Sequence, residues 1–428
     1  MRIMYLTWGE VPRLSSVYGG QAVQVVAAFQ RHPEVENASL VAGYPMIHSG
    51  MLREKWRYRK QLSAIRDRIG SDNFTTRRIP VPPVGVHPKP SQLPFFYAGQ
   101  HGFLAREIRK RKPDVMQCRS YVATNLALEV RARYGFEYKV VFDARSLMPE
   151  EAVITGRWSG DGPDFQSWKV IEHAMLATSD LSTAVSKPMQ EHFDKLGARR
   201  TALAYLNVSV DGIVDAQISD NSRLDAAKPV VAYCGYLAEN SWHNPMNLWK
   251  VFASFHQHCP GAQLLVITKS NHNQLLDSLR TNGFENLIPA VTFTSAPSPA
   301  EVVKLLHGAD LSVLSYRDPA NHFEESMAEK VFATKTAEYM SVGLPMLVNR
   351  YCGGARDYAL SHNAGVAYDP QQLLSKEDVD NLLYMARDRL RISRKARSDF
   401  SIDENAARLV SIFKNLEPIS REIYISGR

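Results

Sequence analysis

A lysine and a glutamate stand three residues apart in the last third of the chain, within a stretch that reads Lys330-Val-Phe-Ala-Thr-Lys-Thr-Ala-Glu-Tyr-Met-Ser-Val-Gly343. Helical spacing of the residues from Val331 onward predicts a helix that ends at Gly343. Side chains three positions apart project from one face of a helix, so Lys335 and Glu338 could act on one ligand. An ammonium group binds phosphate oxygens, and a carboxylate accepts two hydrogen bonds from a ribose diol.

The same pair has a simpler interpretation. Lysine and glutamate at this spacing also form ordinary surface salt bridges on amphipathic helices. After the helix, Leu344-Pro345 predicts a turn, and the apolar run from Met346 to Val348 predicts a strand that is buried in a parallel sheet. The pair would thus belong to a unit of helix, turn and strand.

The stretch from Ala333 to Met346 resembles the signature of retaining GT-B glycosyltransferases, those similar to glycosyltransferase family four. The family pattern is roughly Pro-x-Lys-x-x-Glu-Tyr-Met-Ala-x-Gly-x-Pro-Val, and this chain has Ala-Thr-Lys-Thr-Ala-Glu-Tyr-Met-Ser-Val-Gly-Leu-Pro-Met. The resemblance implies that Glu338 holds the ribose of a nucleotide-sugar donor and that Lys335 has a catalytic role at its leaving phosphate. It also implies the α/β fold class called GT-B: two Rossmann-like doubly wound domains facing across a cleft, with the acceptor on the first and the donor on the second.

The composition is that of a globular protein of the cytoplasm. A length of 428 residues suggests two or three domains. No apolar run approaches the ~20 residues that a membrane span requires. The cysteines are far apart and form no Cys-x-x-Cys motif; they are Cys118, Cys234, Cys259 and Cys352. This pattern fits a reducing compartment and argues against a disulfide or zinc framework, so we expect no metal site.

Positive charge is concentrated in one part of the first half. The net charge is +7, and residues 53 to 112 hold fifteen Lys or Arg against four Asp or Glu. Such a patch could attract anionic lipids, nucleic acid or phosphorylated substrates, or it could be a plain solvated surface. Cations and aromatic residues are interleaved from Lys55 to Lys60, where we expect acceptor recognition or membrane-surface contact. The candidate partner is therefore an anionic membrane surface at the inner face of the membrane, and we expect no nucleic acid.

Two features of the first half mark candidate sites. Gly19-Gly20 precedes a helical run, and such a pair lets backbone amides approach an anion such as the donor phosphate. In open α/β sheets, ligands gather beyond the carboxyl ends of the strands. Arg119 and Tyr121 follow one predicted strand, and we expect them to bind the acceptor.

Asp143 and Arg145 follow the next predicted strand, and we expect catalytic roles for both. Family members often carry histidine at these strand ends. Arg119 and Arg145 stand in the corresponding positions, so a catalytic histidine cannot be carried over. The alternative is an internal ion pair of Arg145 with Asp143 or Glu150 that only shapes the loop.

The second half departs from the family where the donor phosphates bind. The family usually has a Gly-Arg…Lys-Gly clamp, whereas Gly235 is followed here by a loop without Lys or Arg as far as Pro245. We expect His243 or Asn244 to donate hydrogen bonds to phosphate and Lys335 to supply the positive charge. The remaining donor-binding candidates lie after other predicted strands: Lys269, Gly353 and Gly354.

A second departure concerns a glutamate. The family often has another Glu eight positions before the ribose-binding one, and Lys330 occupies that position here. Glu324, Glu325 and Glu329, in an acidic loop predicted over 317 to 329, are the candidates to replace it.

We therefore expect an N-terminal acceptor domain over 1-208, a C-terminal donor domain over 209-400, and a helix over 401-428 that crosses back onto the first domain. The resemblance implies a retaining, metal-independent, hexosyltransferase-like enzyme without cofactors. It would move a sugar from a nucleotide-sugar donor to a glycan or lipid-linked acceptor, in bacterial surface polysaccharide biosynthesis. A sugar-nucleotide epimerase-like enzyme and a catalytically inactive binding or scaffold protein of the same fold are the alternatives.

Overall fold

The computed structural model describes residues 1–14, 17–46, 55–79, 87–208, 213, 215–218, 224–239 and 241–417. The chain divides into two compact units. Met1–Asn207 and Ile402–Arg428 form the first, and Val208–Ser401 forms the second. The predicted domain boundary falls beside residues 209–212, which lie outside the described residues, as do residues 418–428 of the predicted C-terminal segment.

A parallel sheet of seven strands forms the centre of the first unit. The strands lie in the order β3-β2-β1-β4-β5-β6-β7. They are β1 (Arg2–Trp8), β2 (Asn37–Pro45), β3 (Phe74–Ile79), β4 (Val115–Arg119), β5 (Lys139–Asp143), β6 (Leu181–Ala184) and β7 (Thr201–Leu203). Every residue of β4 is buried, as is typical of strands inside a parallel sheet.

Helices connect the strands of the first unit. They span Gln24–Arg31, Lys55–Ile69, Leu93–Tyr97, Gln100–Arg111, Ser120–Tyr134, Met148–Ile154, Pro163–Thr178, Lys187–Lys195 and Ile402–Lys414. The last of these packs against the first, and the ring centroids of Phe29 and Phe413 lie 6.1 Å apart. Arg31 and Asp403 add an ion pair at 2.5 Å. The C-terminal helix thus completes the core of the first unit.

The second unit is built around a parallel sheet of six strands, in the order β10-β9-β8-β11-β12-β13. They are β8 (Val230–Cys234), β9 (Gln263–Ile267), β10 (Val291–Thr294), β11 (Leu311–Leu314), β12 (Met346–Asn349) and β13 (Gly365–Tyr368). The strand order reverses between β8 and β11, just as it reverses between β1 and β4 in the first unit. Both units are therefore doubly wound, which confirms the predicted α/β fold class.

The helices of the second unit span Asp215–Ile218, Pro245–His258, His272–Thr281, Pro299–His307, His322–Lys330, Thr334–Ser341, Gly353–Ser361, Lys376–Met385 and Arg389–Phe400. Among the residues that the structure describes, no helix in either unit combines the length and apolar character of a membrane span.

The helix of the signature is shorter than its spacing predicts. It spans Thr334–Ser341, and Val331 before it is extended, with φ −79° and ψ 163°. Its predicted end is confirmed, because Gly343 is left-handed with φ 80°. A Cβ at this glycine would lie 2.5 Å from the carbonyl oxygen of Arg389, so the turn also requires a residue without a side chain.

Candidate functional site

Side chains from several segments of the second unit meet where its strand order reverses. Gly235 follows β8 with φ 139°, a conformation that residues with a side chain rarely adopt. Tyr316 follows β11, and its ring packs edge-on against the ring of His243 with a centroid distance of 5.2 Å. Because doubly wound sheets bind ligands at the reversal point, this is the candidate site of the second unit.

Lys335 reaches this point from helix Thr334–Ser341. Its Nζ lies 3.0 Å from Nε2 of His243. Its aliphatic stem covers Gly235, since a Cβ built on that glycine would lie 2.1 Å from Cε of the lysine. Glycine is therefore required at position 235 for two reasons: its backbone conformation, and the lysine side chain that lies over it.

The protonation of the pair follows from burial. Burial lowers the pKa of His243 to about 3, and the positive charge of Lys335 is a second, smaller cause of this shift. The imidazole is neutral near pH 7, so its Nε2 accepts a hydrogen bond from the lysine and its proton lies on Nδ1. Hydrogen bonding of His243 to a phosphate stays a prediction, for which Nδ1 is the donor. Burial also lowers the pKa of Lys335, against the opposing effect of Glu338. The ammonium of Lys335 is thus hydrogen-bonded to a neutral imidazole, which does not neutralise its charge.

Glu338 stands one helical turn from Lys335, on the same face of the helix. Its carboxylate makes no hydrogen bond or ion pair with any residue that the structure describes. Burial raises the pKa of Glu338, and the Lys335 ammonium opposes this rise. The surface salt bridge of the simpler interpretation is not formed, so the carboxylate retains its capacity to accept hydrogen bonds from a ligand.

Tyr339, which sequence reasoning did not assign to the site, anchors this helix to the sheet. Its hydroxyl accepts a hydrogen bond from the backbone N–H of Cys234 at 2.7 Å and donates one to the carbonyl of the same residue at 3.3 Å. The ring is fully buried. The sequence signal for this residue is its place in the Glu-Tyr-Met segment of the signature, and the hydroxyl of a buried tyrosine usually has a hydrogen-bond partner. The bonds fix the end of β8 directly before Gly235.

Asn244 holds the loop that carries His243. Its Oδ1 accepts a hydrogen bond from the N–H of Met246 at 2.8 Å and caps helix Pro245–His258. Its Nδ2 donates to the carbonyl of Glu239 at 2.7 Å. The oxygen and one of the two Nδ2 N–H donors are thus used within the second unit, and the phosphate contact of Asn244 stays a prediction.

The other predicted donor residues lie at neighbouring strand ends. Lys269 follows β9 and is exposed. Gly353 and Gly354 are buried at the start of helix Gly353–Ser361, which follows β12. A Cβ on Gly353 would lie 2.2 Å from the carbonyl oxygen of Glu329, so close backbone packing requires this glycine.

The acidic segment before the signature is a helix, where a loop was predicted. Helix His322–Lys330 carries the three glutamates that could replace the missing one. Glu324 and Glu329 are each paired with an arginine, at 2.5 and 2.7 Å, whereas Glu325 is exposed. Glu324 and Glu329 thus serve ion pairs of the second unit.

In the first unit, Asp143 is buried at the end of β5 and uses both carboxylate oxygens. Its Oδ2 accepts hydrogen bonds from the hydroxyl of Tyr5 at 2.9 Å and from Nε2 of Gln117 at 3.0 Å. Its Oδ1 accepts one from Thr183 at 3.0 Å and lies 2.8 Å from Nε of Arg145. The predicted internal pair of Asp143 and Arg145 is therefore present. A carboxylate with this many partners orients its arginine and is poorly placed to react with a substrate.

Arg119 and Arg145 stand at the ends of adjacent strands, β4 and β5. Arg119 donates from Nε to Glu10 at 2.9 Å and from Nη1 to Gln21 at 3.0 Å. Arg145 has φ 64°, a left-handed conformation that is uncommon outside glycine. Arg119 uses two of its five N–H donors on partners of its own unit, and its contact with the acceptor stays a prediction.

Tyr121 lies in the core of the first unit. Its ring is fully buried, and its hydroxyl donates to Glu172 at 2.5 Å. Lys169 bonds to Glu172 and, at 3.0 Å, to Glu150. The ring is therefore packed in the core and its hydroxyl is used by Glu172, which the position two residues beyond a strand did not reveal; the acceptor contact of Tyr121 stays a prediction. Glu150 pairs with Lys169 and not with Arg145.

Gly19 and Gly20 lie inside a helical turn, Gly19–Val23, and not in a loop ahead of the helix. A Cβ on Gly19 would lie 1.9 Å from the carbonyl oxygen of Leu14, so this glycine permits close packing of the chain. A Cβ on Gly20 would meet nothing within 4 Å, and this part of the turn is open.

The two doubly wound units define a GT-B fold, and comparison with known proteins agrees. Residues 215–399 match the family model described as Glycosyl transferases group 1. The match lies within the second unit and includes the signature helix and strand. Curated protein sequences gave no match to the chain.

Solved structures of the same fold cover nearly the whole chain. Sucrose-phosphate synthase from Thermosynechococcus elongatus is 13% identical, with a TM-score of 0.61 over 97% of this chain and 99% of that one. The lipopolysaccharide outer core galactosyltransferase WaaB is 13% identical, with a TM-score of 0.63 over 97% and 100%. Anabaena Alr3699/HepE in complex with UDP is 13% identical, with a TM-score of 0.61 over 97% and 100%. At this identity the likeness concerns the fold; with the family match, it supports a GT-B glycosyltransferase.

Proposed function

We propose that this chain is a retaining glycosyltransferase, which moves a sugar from a nucleotide-sugar donor to a glycan or lipid-linked acceptor. The observation that carries the proposal is the arrangement of Lys335 and Glu338. They share one helix face at the reversal point of the second sheet, and each keeps its charge or acceptor capacity for a ligand. Retention at the anomeric carbon is proposed from the resemblance of the signature.

In this proposal the second unit binds the donor. The Lys335 ammonium binds a phosphate oxygen of the leaving group, and the Glu338 carboxylate accepts hydrogen bonds from the two ribose hydroxyls. The bare backbone at Gly235 lets the lysine lie flat against the end of β8. Hydrogen bonds to charged groups contribute about 1.5–3 kcal/mol each, so losing the carboxylate should weaken nucleotide binding clearly.

Charge stabilisation is the chemistry that these residues can supply. Breaking the sugar–phosphate bond places negative charge on the leaving phosphate, and the buried ammonium of Lys335 would stabilise that charge. Asp143 is unsuited to act as a nucleophile, because both of its oxygens already accept hydrogen bonds. The proposed route is therefore a front-face transfer without a covalent enzyme intermediate, and it needs neither a metal nor a cofactor.

Two solved structures of the same fold support the choice of substrates. Anabaena Alr3699/HepE was solved with UDP, and WaaB is a galactosyltransferase of the lipopolysaccharide outer core. We propose a nucleotide-sugar donor for this chain and a role in bacterial surface polysaccharide biosynthesis.

We propose further that the protein works in the cytoplasm and binds the inner membrane surface peripherally. Helix Lys55–Ile69 supports this, since Trp56, Arg59 and Lys60 are exposed at its start. Trp56 is 72% exposed, and Nζ of Lys60 lies 5.4 Å from the centroid of its ring. An exposed indole flanked by cations suits a boundary of anionic headgroups. Residues 47–54, where the basic stretch begins, lie outside the described residues.

Calorimetry and turnover assays test the proposal. A panel of nucleoside diphosphates is titrated into the wild type, Glu338→Ala and Glu325→Ala, which removes an exposed glutamate of the neighbouring helix. Glu338→Ala should weaken the best-binding nucleotide about tenfold or more, because the ribose hydroxyls lose a charged acceptor. Glu325→Ala should bind like the wild type. Equal affinity in all three proteins would remove Glu338 from the ribose site.

Turnover separates the proposed activity from its alternatives. With a panel of nucleotide sugars, release of the free nucleotide supports glycosyl transfer. An isomerised sugar on an intact nucleotide supports the epimerase-like enzyme. Nucleotide binding without turnover of any sugar, or no binding at all, supports the inactive binding or scaffold protein.

A further inference from the structure

The first unit contains a buried guanidinium that its own residues do not satisfy. The side chain of Arg145 is 8% exposed. Its Nη1 is buried and has no hydrogen-bond partner among the residues that the structure describes. Its Nε lies 2.8 Å from Oδ1 of Asp143, which is the distance of an ion pair. Buried donors in proteins are nearly always paired, so such a group requires an explanation.

Asp143 cannot supply the missing acceptor. Its two oxygens already accept hydrogen bonds from Tyr5, Gln117 and Thr183, contributed by β1, β4 and β6. Three strands thereby fix the carboxylate, and the carboxylate fixes one edge of the guanidinium. The other edge of Arg145 is held in place but left without a partner.

The backbone at Arg145 points to a functional reason. A left-handed φ of 64° at a residue with a long side chain costs free energy, and such residues concentrate at functional sites. Ser120, after the neighbouring strand β4, has a similar φ of 66°. Both lie at the carboxyl ends of parallel strands, the edge where doubly wound sheets bind ligands.

Each of the two arginines at this edge is paired with a carboxylate, but Arg145 stays protonated. Arg119 is balanced by Glu10 and Arg145 by Asp143. Burial lowers the pKa of Arg145, but the Asp143 carboxylate outweighs this effect and raises it, so the group stays cationic. An anion that enters would meet a fixed cation whose free N–H groups form a planar fork, the geometry that suits phosphate oxygens.

We propose that Arg145, held in position by Asp143, binds a phosphate group of a substrate in the first unit. That this phosphate belongs to a substrate rests on the proposed function. It has two sources there, the diphosphate of the nucleotide-sugar donor and the phosphate of a lipid-linked acceptor. Asp143 is a positioning residue in this site, and Arg145 is the residue that contacts the ligand.

The test uses the full chain labelled with ¹⁵N-arginine and inorganic phosphate as the probe. Arg145→Lys removes one Nε–Hε signal and so assigns it. In the wild type, that signal should shift and saturate as phosphate is added. The binding curve should weaken about tenfold or more in Arg145→Gln and stay unchanged in Arg133→Gln, which alters an exposed arginine of the same unit. A signal that does not move, or equal phosphate affinity in all proteins, would overturn the proposal.

The phosphate titration of the wild-type signal tests the proposal even if a variant fails to fold, because it is measured on the unaltered protein. Competition then identifies the source of the phosphate. Displacement of inorganic phosphate from the Arg145 signal by a nucleoside diphosphate assigns the site to the donor, and displacement by farnesyl phosphate assigns it to a lipid-linked acceptor. Displacement by neither contradicts a substrate site. Loss of nucleotide binding in Glu338→Ala is measured separately, so failure here and failure of the proposed function are distinguishable.

Discussion

Nζ of Lys335 lies 3.0 Å from Nε2 of His243, and the histidine is the acceptor. A buried lysine is usually matched with a carboxylate, which would cancel its charge. A neutral imidazole orients the ammonium without cancelling it. The loop after β8 lacks the two cations that the family signature leads one to expect, and the structure concentrates the positive charge on one oriented side chain.

Replacing His243 should therefore affect nucleotide binding through Lys335. His243→Phe keeps the ring but removes the acceptor, so the lysine loses its orientation and affinity for the nucleoside diphosphate should fall about three- to tenfold. His243→Gln keeps an acceptor oxygen and should bind more like the wild type. Calorimetry on both variants checks this. Equal loss in the two would show that only the shape of the ring matters.

Gly235→Ala should displace the side chain of Lys335, which lies over this glycine. The new Cβ would lie 2.1 Å from Cε of Lys335, and the φ of 139° is strained for alanine. We expect nucleotide affinity to fall as far as in Lys335→Met, with a loss of stability of about 1–3 kcal/mol. Gly102→Ala is the control, because its Cβ would meet only the hydroxyl of Tyr134 at 3.9 Å. Wild-type affinity in Gly235→Ala would contradict the packing of lysine on glycine.

The depressed pKa of His243, about 3, makes the stability of the second unit depend on pH. In the unfolded chain the ring takes up a proton near pH 6.5, whereas the folded chain resists protonation until about pH 3, so acid favours the unfolded state between these values. Between pH 7 and pH 4.5, the wild type should therefore lose on the order of 2 kcal/mol of unfolding free energy through His243, and His243→Gln should not show this loss. Urea unfolding at both pH values measures it.

Lys335→Met provides an internal check on that measurement. It removes the neighbouring ammonium but leaves the burial of His243, which is the larger cause of the low pKa. Its pH dependence should fall between those of the wild type and His243→Gln. If the wild type and His243→Gln lose stability equally on acidification, the imidazole is not held neutral in the folded state.

Charge reversal at the start of helix Lys55–Ile69 should weaken membrane binding. Each cation near an anionic surface contributes about 1 kcal/mol, so Arg59→Glu with Lys60→Glu should reduce binding to phosphatidylglycerol vesicles by tenfold or more. Lys304→Glu with Lys376→Glu changes the net charge equally at exposed sites of the second unit and serves as the control. Vesicle sedimentation measures it. A wild type that ignores anionic vesicles would end the membrane proposal.

The doubly wound fold was predicted from the resemblance of the signature, and the apolar run from Met346 to Val348 agreed with a buried strand of a parallel sheet. Sequence reasoning identified the face shared by Lys335 and Glu338 because that face depends only on helical geometry. It misplaced the start of the helix, since Val331 is extended and spacing alone does not fix backbone angles.

The partners of polar side chains were beyond the reach of the sequence. The capping role of Asn244 was not predicted, because it depends on the position of the N–H of Met246. Tyr121 could have faced solvent or the core, and the packing of Glu172 decides that. The left-handed backbone angle of Arg145 was likewise not predicted by any residue pattern.

The helix Ile402–Lys414 has a consequence for how the protein is made. Phe413 packs on Phe29, so the unit that is synthesised first lacks part of its interior until helix Ile402–Lys414 has been translated. A nascent chain that stops before residue 402 would leave that surface of Phe29 open to water or to a chaperone. The N-terminal unit should therefore finish folding only after the other unit has emerged from the ribosome, which reverses the usual order of assembly.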